Sequence, residues 1–140
     1  MTGSMDDAIR WCLSEPRTWA VVGCSPSPFR DSHGIAELLL GRGHRVVPVN
    51  PDADEILGQR CYPAVADVPD PVDVVDVFRR SDAAGQHVDE AIAIGARAVW
   101  LQLGVIDHSA AGRAASAGLH VVMDRCPRIE YPRLVARGER

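Results

Sequence analysis

Apolar runs recur along the chain with polar, helix-like stretches between them. Trp19-Ala20-Val21-Val22-Gly23 is continuously apolar, the pattern of a strand covered on both faces. Residues 45–50, 72–78, 98–103 and 119–123 repeat that pattern, although Asp73 and Asp76 interrupt the third run. Pro48 lies inside the second run and marks it as an edge strand or a local break. A further short extended piece is expected at Arg60–Tyr62.

The intervening segments have helical periodicity. Met5, Ile9, Trp11 and Cys12 predict an N-terminal helix within residues 1–15, stopped by Pro16. Ile35, Leu38 and Leu39 predict a second helix ending at Gly41-Arg42-Gly43. Val88, Ala91 and Ile92 share one face of a third, with Gly95 as its C-cap. Asp107 is positioned to N-cap an alanine-rich fourth helix closed by Gly118. The segment after Cys126 reads as a polar tail carrying Pro127 and Pro132.

Strands alternating with helices imply right-handed parallel βαβ units. The expected fold is a single α/β domain over residues 1–140, with its core at about 16–135. It is a Rossmann-like doubly wound parallel sheet of about five strands, order 3-2-1-4-5, with helices on both faces.

With 46% hydrophobic residues, 140 residues suffice for one packed domain. The net charge of −4 and the lack of a basic run argue against nucleic acid or an anionic membrane as partner. All 15 basic residues are arginines, so an anion site must use arginine, backbone N–H groups or helix ends. Cys12, Cys24, Cys61 and Cys126 are too widely spaced for a zinc or redox pair, and no metal is expected. Without a signal peptide or membrane-length run, a cytoplasmic protein with reduced thiols is expected.

In a doubly wound sheet ligands bind at the carboxyl ends of the strands. The loop after the first run reads Gly23-Cys24-Ser25-Pro26-Ser27-Pro28-Phe29-Arg30-Asp31-Ser32. Gly23 permits close backbone approach. The serines supply hydroxyls, the following helix supplies amides and a positive dipole end, and Arg30 supplies a forked cation. The same residues also suit an ordinary βα turn. The dinucleotide fingerprint is missing, because Gly23, Ser25 and Pro28 stand at its glycine positions. The second strand ends in Asn50-Pro51 rather than in the acid that would hold a ribose of NAD.

Several segments together resemble a known family. They are Ala20–Pro26, Arg45–Pro51, Leu57–Pro63, Val72–Arg79, Val99–Gly104 and Val122–Cys126, in this order over roughly residues 18–135. The chain is similar to the small stand-alone CoA-binding proteins, whose domain is related to the N-terminal domain of the succinyl-CoA synthetase alpha subunit. That resemblance implies a site for coenzyme A or acyl-CoA. Gly23, Cys24, Ser25, Pro26, Arg30 and Ser32 would hold the pyrophosphate. Asn50 and Pro51 would border the adenosine. Phe78, Arg79 and Arg80 would line the pantetheine or adenine side, and Gln102, Leu103 and Gly104 the thiol end. Cys24 departs from the alanine common in the family.

Other candidate chemistry is sparse. Cys126, flanked by Arg125 and Arg128, is placed for a mixed disulfide with CoA, or else is a packed inert thiol. Asp76 inside an apolar strand suits a general base or, as a structural residue, a helix cap or loop anchor. Asp124 and Arg125 suit an ion pair. His33 lies near the loop, and no nucleophile elbow supports a triad. The chain is too short for the phosphohistidine domain and ATP-grasp subunit of the synthetase relative. The expected role is therefore non-catalytic binding as a carrier, sensor or regulatory module. Homodimerisation and a synthetase-like partner remain open. The competing readings are a nucleotide-dependent enzyme of the NAD(P) type and a CoA-supplying subunit of a synthetase-like complex.

Overall fold

The computed structural model describes residues 4–138. Helix α1 (Met5–Leu13) opens with a capping box, in which Ser4 and Asp7 satisfy each other's backbone N–H groups. Strand β1 (Thr18–Val22) and helix α2 (Asp31–Gly41) follow, and then β2 (Arg45–Val49). A small hairpin, β3 (Glu55–Ile56) and β4 (Gln59–Arg60), leads through a 3-10 turn at Val65–Asp67 to β5 (Val74–Val77). The remainder is α3 (Ser81–Ala93), β6 (Ala98–Leu101), α4 (His108–Ser116), β7 (His120–Val122) and α5 (Pro127–Ala136).

The five-stranded parallel sheet runs β2-β1-β5-β6-β7. Rossmann-like architecture is thus as expected, but the strand order is corrected in one respect: among the described residues no strand lies outside β2. That edge carries a single parallel bridge between Val49 and Tyr62, and the fifth strand is β7 at the opposite edge. Pro48 explains why pairing stops there. Its carbonyl faces outward and accepts from Tyr62 N–H, so its missing N–H lies on the same outer side. The inner ladder of β2 with β1 is undisturbed.

Alternate strand residues feed two cores. Trp19, Val21, Val74, Trp100 and Val122 pack under α1, α2 and α5. Ala20, Val22, Val75, Val99 and Leu101 pack under α3 and α4. Trp19 and Trp100 are both fully buried, with ring centroids 5.5 Å apart. Asp107 caps α4 through Ala110 N–H, as its spacing predicts.

The polar tail expected after Cys126 is instead helix α5. Pro127 occupies its first turn, where a missing N–H costs nothing. Tyr131 and Leu134 anchor the helix to the core. Tyr131 also closes a buried chain: Arg17 N–H donates to His44 Nδ1 at 3.0 Å, which leaves His44 Nε2–H for the Tyr131 hydroxyl at 2.7 Å.

Candidate functional site

β2 and β5 lie on opposite sides of β1, so the chain reverses direction beside the carboxyl end of β1. Gly23 makes that crossing possible. Its φ is +82°, and a Cβ there would lie 2.4 Å from the Phe78 carbonyl oxygen at the end of β5. The two strand ends therefore approach through a gap that only hydrogen can fill.

Beyond Gly23 the loop closes on itself. Ser25 N–H donates to Ser32 Oγ at 2.9 Å, and Ser27 N–H donates to Ser25 Oγ at 3.1 Å. Asn50 ties the loop to β2: its Nδ2 donates to the Cys24 carbonyl at 2.9 Å, and its Oδ1 accepts from Asp52 N–H. These bonds hold the entry to α2 at the mouth of a cleft of about 720 Å3. No side chain caps α2; His33 N–H bonds back to the Arg30 carbonyl at 3.2 Å, which leaves the amides of Asp31 and Ser32 as the first-turn donors without a backbone partner.

The cleft brings together most of the residues singled out by sequence. Gly23, Ser25, Arg30, Ser32, Asn50, Pro51, Phe78, Arg79, Arg80, Gln102, Leu103 and Cys126 line it. Cys24, Pro26 and Gly104 do not. Cys24 is buried behind the loop, and burial pushes its thiol up to about 12. Gly104 N–H donates to Asp124 Oδ1 instead. Asp124 forms no ion pair with Arg125, whose guanidinium donates to the Asp124 backbone carbonyl.

Arg128 and Ile129, from the first turn of α5, also line the cleft. A Cβ at Gly34 would lie 3.0 Å from Arg128 Nη2, so this guanidinium rests against the start of α2. The signal for it was Pro127, a helix-opening residue a short loop beyond the last strand. Four arginines, Arg30, Arg79, Arg80 and Arg128, face two acids, Asp31 and Asp52, around the opening. Arg80 is partly committed to Asp82 at 3.2 Å. Uncapped amides and excess guanidinium make the cleft suited to a phosphorylated ligand. His33 does not line it, and among the described residues no His, Cys, Asp or Glu cluster suits a metal.

Asp76 caps no helix. It lies fully buried on β5, and its Oδ1 accepts from Gln102 Nε2. Burial raises its carboxyl to about 8, against 3.8 ordinarily. Because the folded value is the higher, its contribution to stability is complete below about pH 4 and is lost as the pH rises through 8. His44 works in the opposite sense. Burial lowers it from 6.5 to about 4, so its contribution is present above pH 6.5 and is lost as the pH falls toward 4. Asp76→Asn should therefore be more stable than wild type at pH 8, by on the order of 2 kcal/mol, with the difference shrinking toward pH 4. Urea denaturation of both proteins at the two pH values measures this.

The fold and cleft define a Rossmann-like protein with an anion-suited site at its topological switch point. The chain belongs to the CoA binding domain family, whose sequence profile matches residues 17–132. It is 32% identical over 123 residues to uncharacterized protein YneT of Bacillus subtilis, covering 88% of this chain and 91% of that protein. A hypothetical protein from Pyrococcus horikoshii superposes with a TM-score of 0.88 at 40% identity, covering 96% of this chain and 95% of that one. The dinucleotide-forming acetyl-coenzyme A synthetase 1 of Ca. Korarchaeum cryptofilum superposes with a TM-score of 0.69 at 32% identity. That match covers 80% of this chain but 26% of the synthetase. Among the described residues no helix is long and apolar enough to cross a membrane.

Proposed function

We propose that this protein binds coenzyme A or an acyl-CoA in the cleft and acts there without catalysis, as a carrier, sensor or regulatory module. The observation that carries this reading is the uncapped first turn of α2, open to the cleft between Arg30 and Arg128. The amides of Asp31 and Ser32 and the two guanidiniums would hold the diphosphate. Asn50 and Pro51 border the adenosine side, while Phe78 leads toward Gln102 and Leu103 at the thiol end. The fit follows from the donor set: amides and guanidiniums only donate, and a diphosphate only accepts.

A thermal-shift panel of CoA, acetyl-CoA, dephospho-CoA, NAD and NADP tests the reading. CoA at a hundred times its dissociation constant should stabilise the fold by about 2.7 kcal/mol. Stabilisation by NAD or NADP with none by CoA would overturn it. Similarity to a synthetase domain favours a second reading, a CoA-supplying subunit, and co-purification of a synthetase-like protein separates the two.

Cys126 is partly exposed within the same cleft. Its thiolate could attack the symmetric disulfide of CoA, forming a Cys126–CoA disulfide and releasing one CoA thiol. Incubation with CoA disulfide should add one CoA to the intact mass. The adduct should vanish on reduction and in Cys126→Ser. Persistence of the adduct in that variant would assign it to another cysteine.

A further inference from the structure

Asp76 and Gln102 form a polar pair beneath the cleft. Asp76 points from β5 to the same side of the sheet as Phe78, two residues further on, which lines the cleft. It is fully buried and has no cation beside it, and its Oδ2 has no hydrogen-bond partner. Gln102 is nearly as buried, yet it also lines the cleft. One end of its amide is committed to Asp76, and the other is left for whatever reaches the cleft floor.

A primary amide has a donor end and an acceptor end. An ionised Asp76 can only accept, so it holds Nε2 and turns Oε1 toward the cleft. A neutral Asp76 can donate its O–H to Oε1, and Nε2 then faces the cleft. We propose that Asp76 is a positioning residue that selects which end of the Gln102 amide faces the ligand, and that Gln102 thereby discriminates a thiol from a thioester at the end of the bound cofactor. This rests on the reading of the cleft as a CoA site. A thiol S–H can donate to Oε1, whereas a thioester carbonyl accepts only and is matched by Nε2.

The side chains packed around Asp76 are mostly apolar, with the thiols of Cys12, Cys24 and Cys61 in the same core and Cys126 packed against it. Val21 and Trp100 flank it on β1 and β6. Cys12 of α1 and Cys24 of the loop feel its charge, and burial pushes both thiols far up. α2 and α5 contribute Ile35, Leu39, Leu134 and Tyr131 to this core, and the Tyr131 hydroxyl is engaged by His44. The raised Asp76 value brings both of its forms within reach of ordinary buffers.

The test is calorimetric titration of wild type and Asp76→Asn with CoA and acetyl-CoA at about pH 6 and about pH 8.5. The ratio of the two dissociation constants cancels the shared phosphate and adenosine contacts. In wild type the preference should move toward CoA by roughly three- to tenfold between the two pH values. In Asp76→Asn the ratio should not change with pH. A constant ratio in wild type overturns the inference, as does a shift that persists in Asp76→Asn. Should that variant fail to melt cooperatively, Gln102→Leu replaces it, with the pH shift in the ratio expected to disappear. Failure of wild type to bind either ligand would defeat the CoA reading itself, a distinguishable outcome.

Discussion

Gly23→Ala is expected to destabilise the protein by about 3 kcal/mol, a large part of the stability of an ordinary domain. Two costs add. Alanine at φ +82° is strained, and its Cβ would meet the Phe78 carbonyl at 2.4 Å. A carbonyl at a strand end cannot swing aside, because Phe78 N–H is itself bonded to the Val22 carbonyl. Relief would have to separate β1 from β5 where the cleft is built, so ligand-induced stabilisation should fall with the fold. Gly34→Ala is the contrasting case. Its Cβ would press on the tip of Arg128, a flexible exposed side chain, at a site of ordinary helical backbone. That variant should keep wild-type stability within about 0.5 kcal/mol. Urea denaturation of the two variants beside wild type provides the measurement.

Arg30→Ala and Arg128→Ala should each weaken CoA binding by about 1.5–3 kcal/mol, or roughly ten- to hundredfold in the dissociation constant. Both side chains are exposed at the rim and approach the start of α2 from different elements. Neither forms an ion pair among the described residues, so removing them should leave the melting transition nearly unchanged. Because both act on a charged group near solvent, the losses should diminish as salt is raised. Their effects need not add, since they would serve one diphosphate. Calorimetric titration at low and high salt distinguishes this from a general weakening of the fold.

The site was legible in sequence where local pattern and chemistry coincide. Trp19–Gly23 announces a buried strand and the turn after it, and Arg30 falls at the start of the helix that the turn opens. Asn50 was legible as a position but not as a role. It reaches back to the Cys24 carbonyl and braces the loop, a contact visible only once β1 and β2 are side by side. Ser32 likewise spends an acceptor on Ser25 N–H within the loop.

The unread parts have physical reasons. The β3–β4 hairpin turns at Leu57-Gly58, both with positive φ, and leucine is not a residue that signals such a turn. α5 contains Pro132 and buries the charged Glu130 beside Tyr131 and Leu134, so its apolar positions form no clean helical stripe and tertiary packing overrides a poor local pattern. With α5 unread, Arg128 had no assigned place. Asp76 looked like an anchor for a loop or helix, but its partner, Gln102, comes from the neighbouring strand.

A crystal structure determined with CoA is the most direct measurement of the central claim. The diphosphate should lie against the amides of Asp31 and Ser32, with Arg30 and Arg128 in contact with its oxygens. A diphosphate bound away from the first turn of α2, or CoA seated outside this cleft altogether, would contradict it.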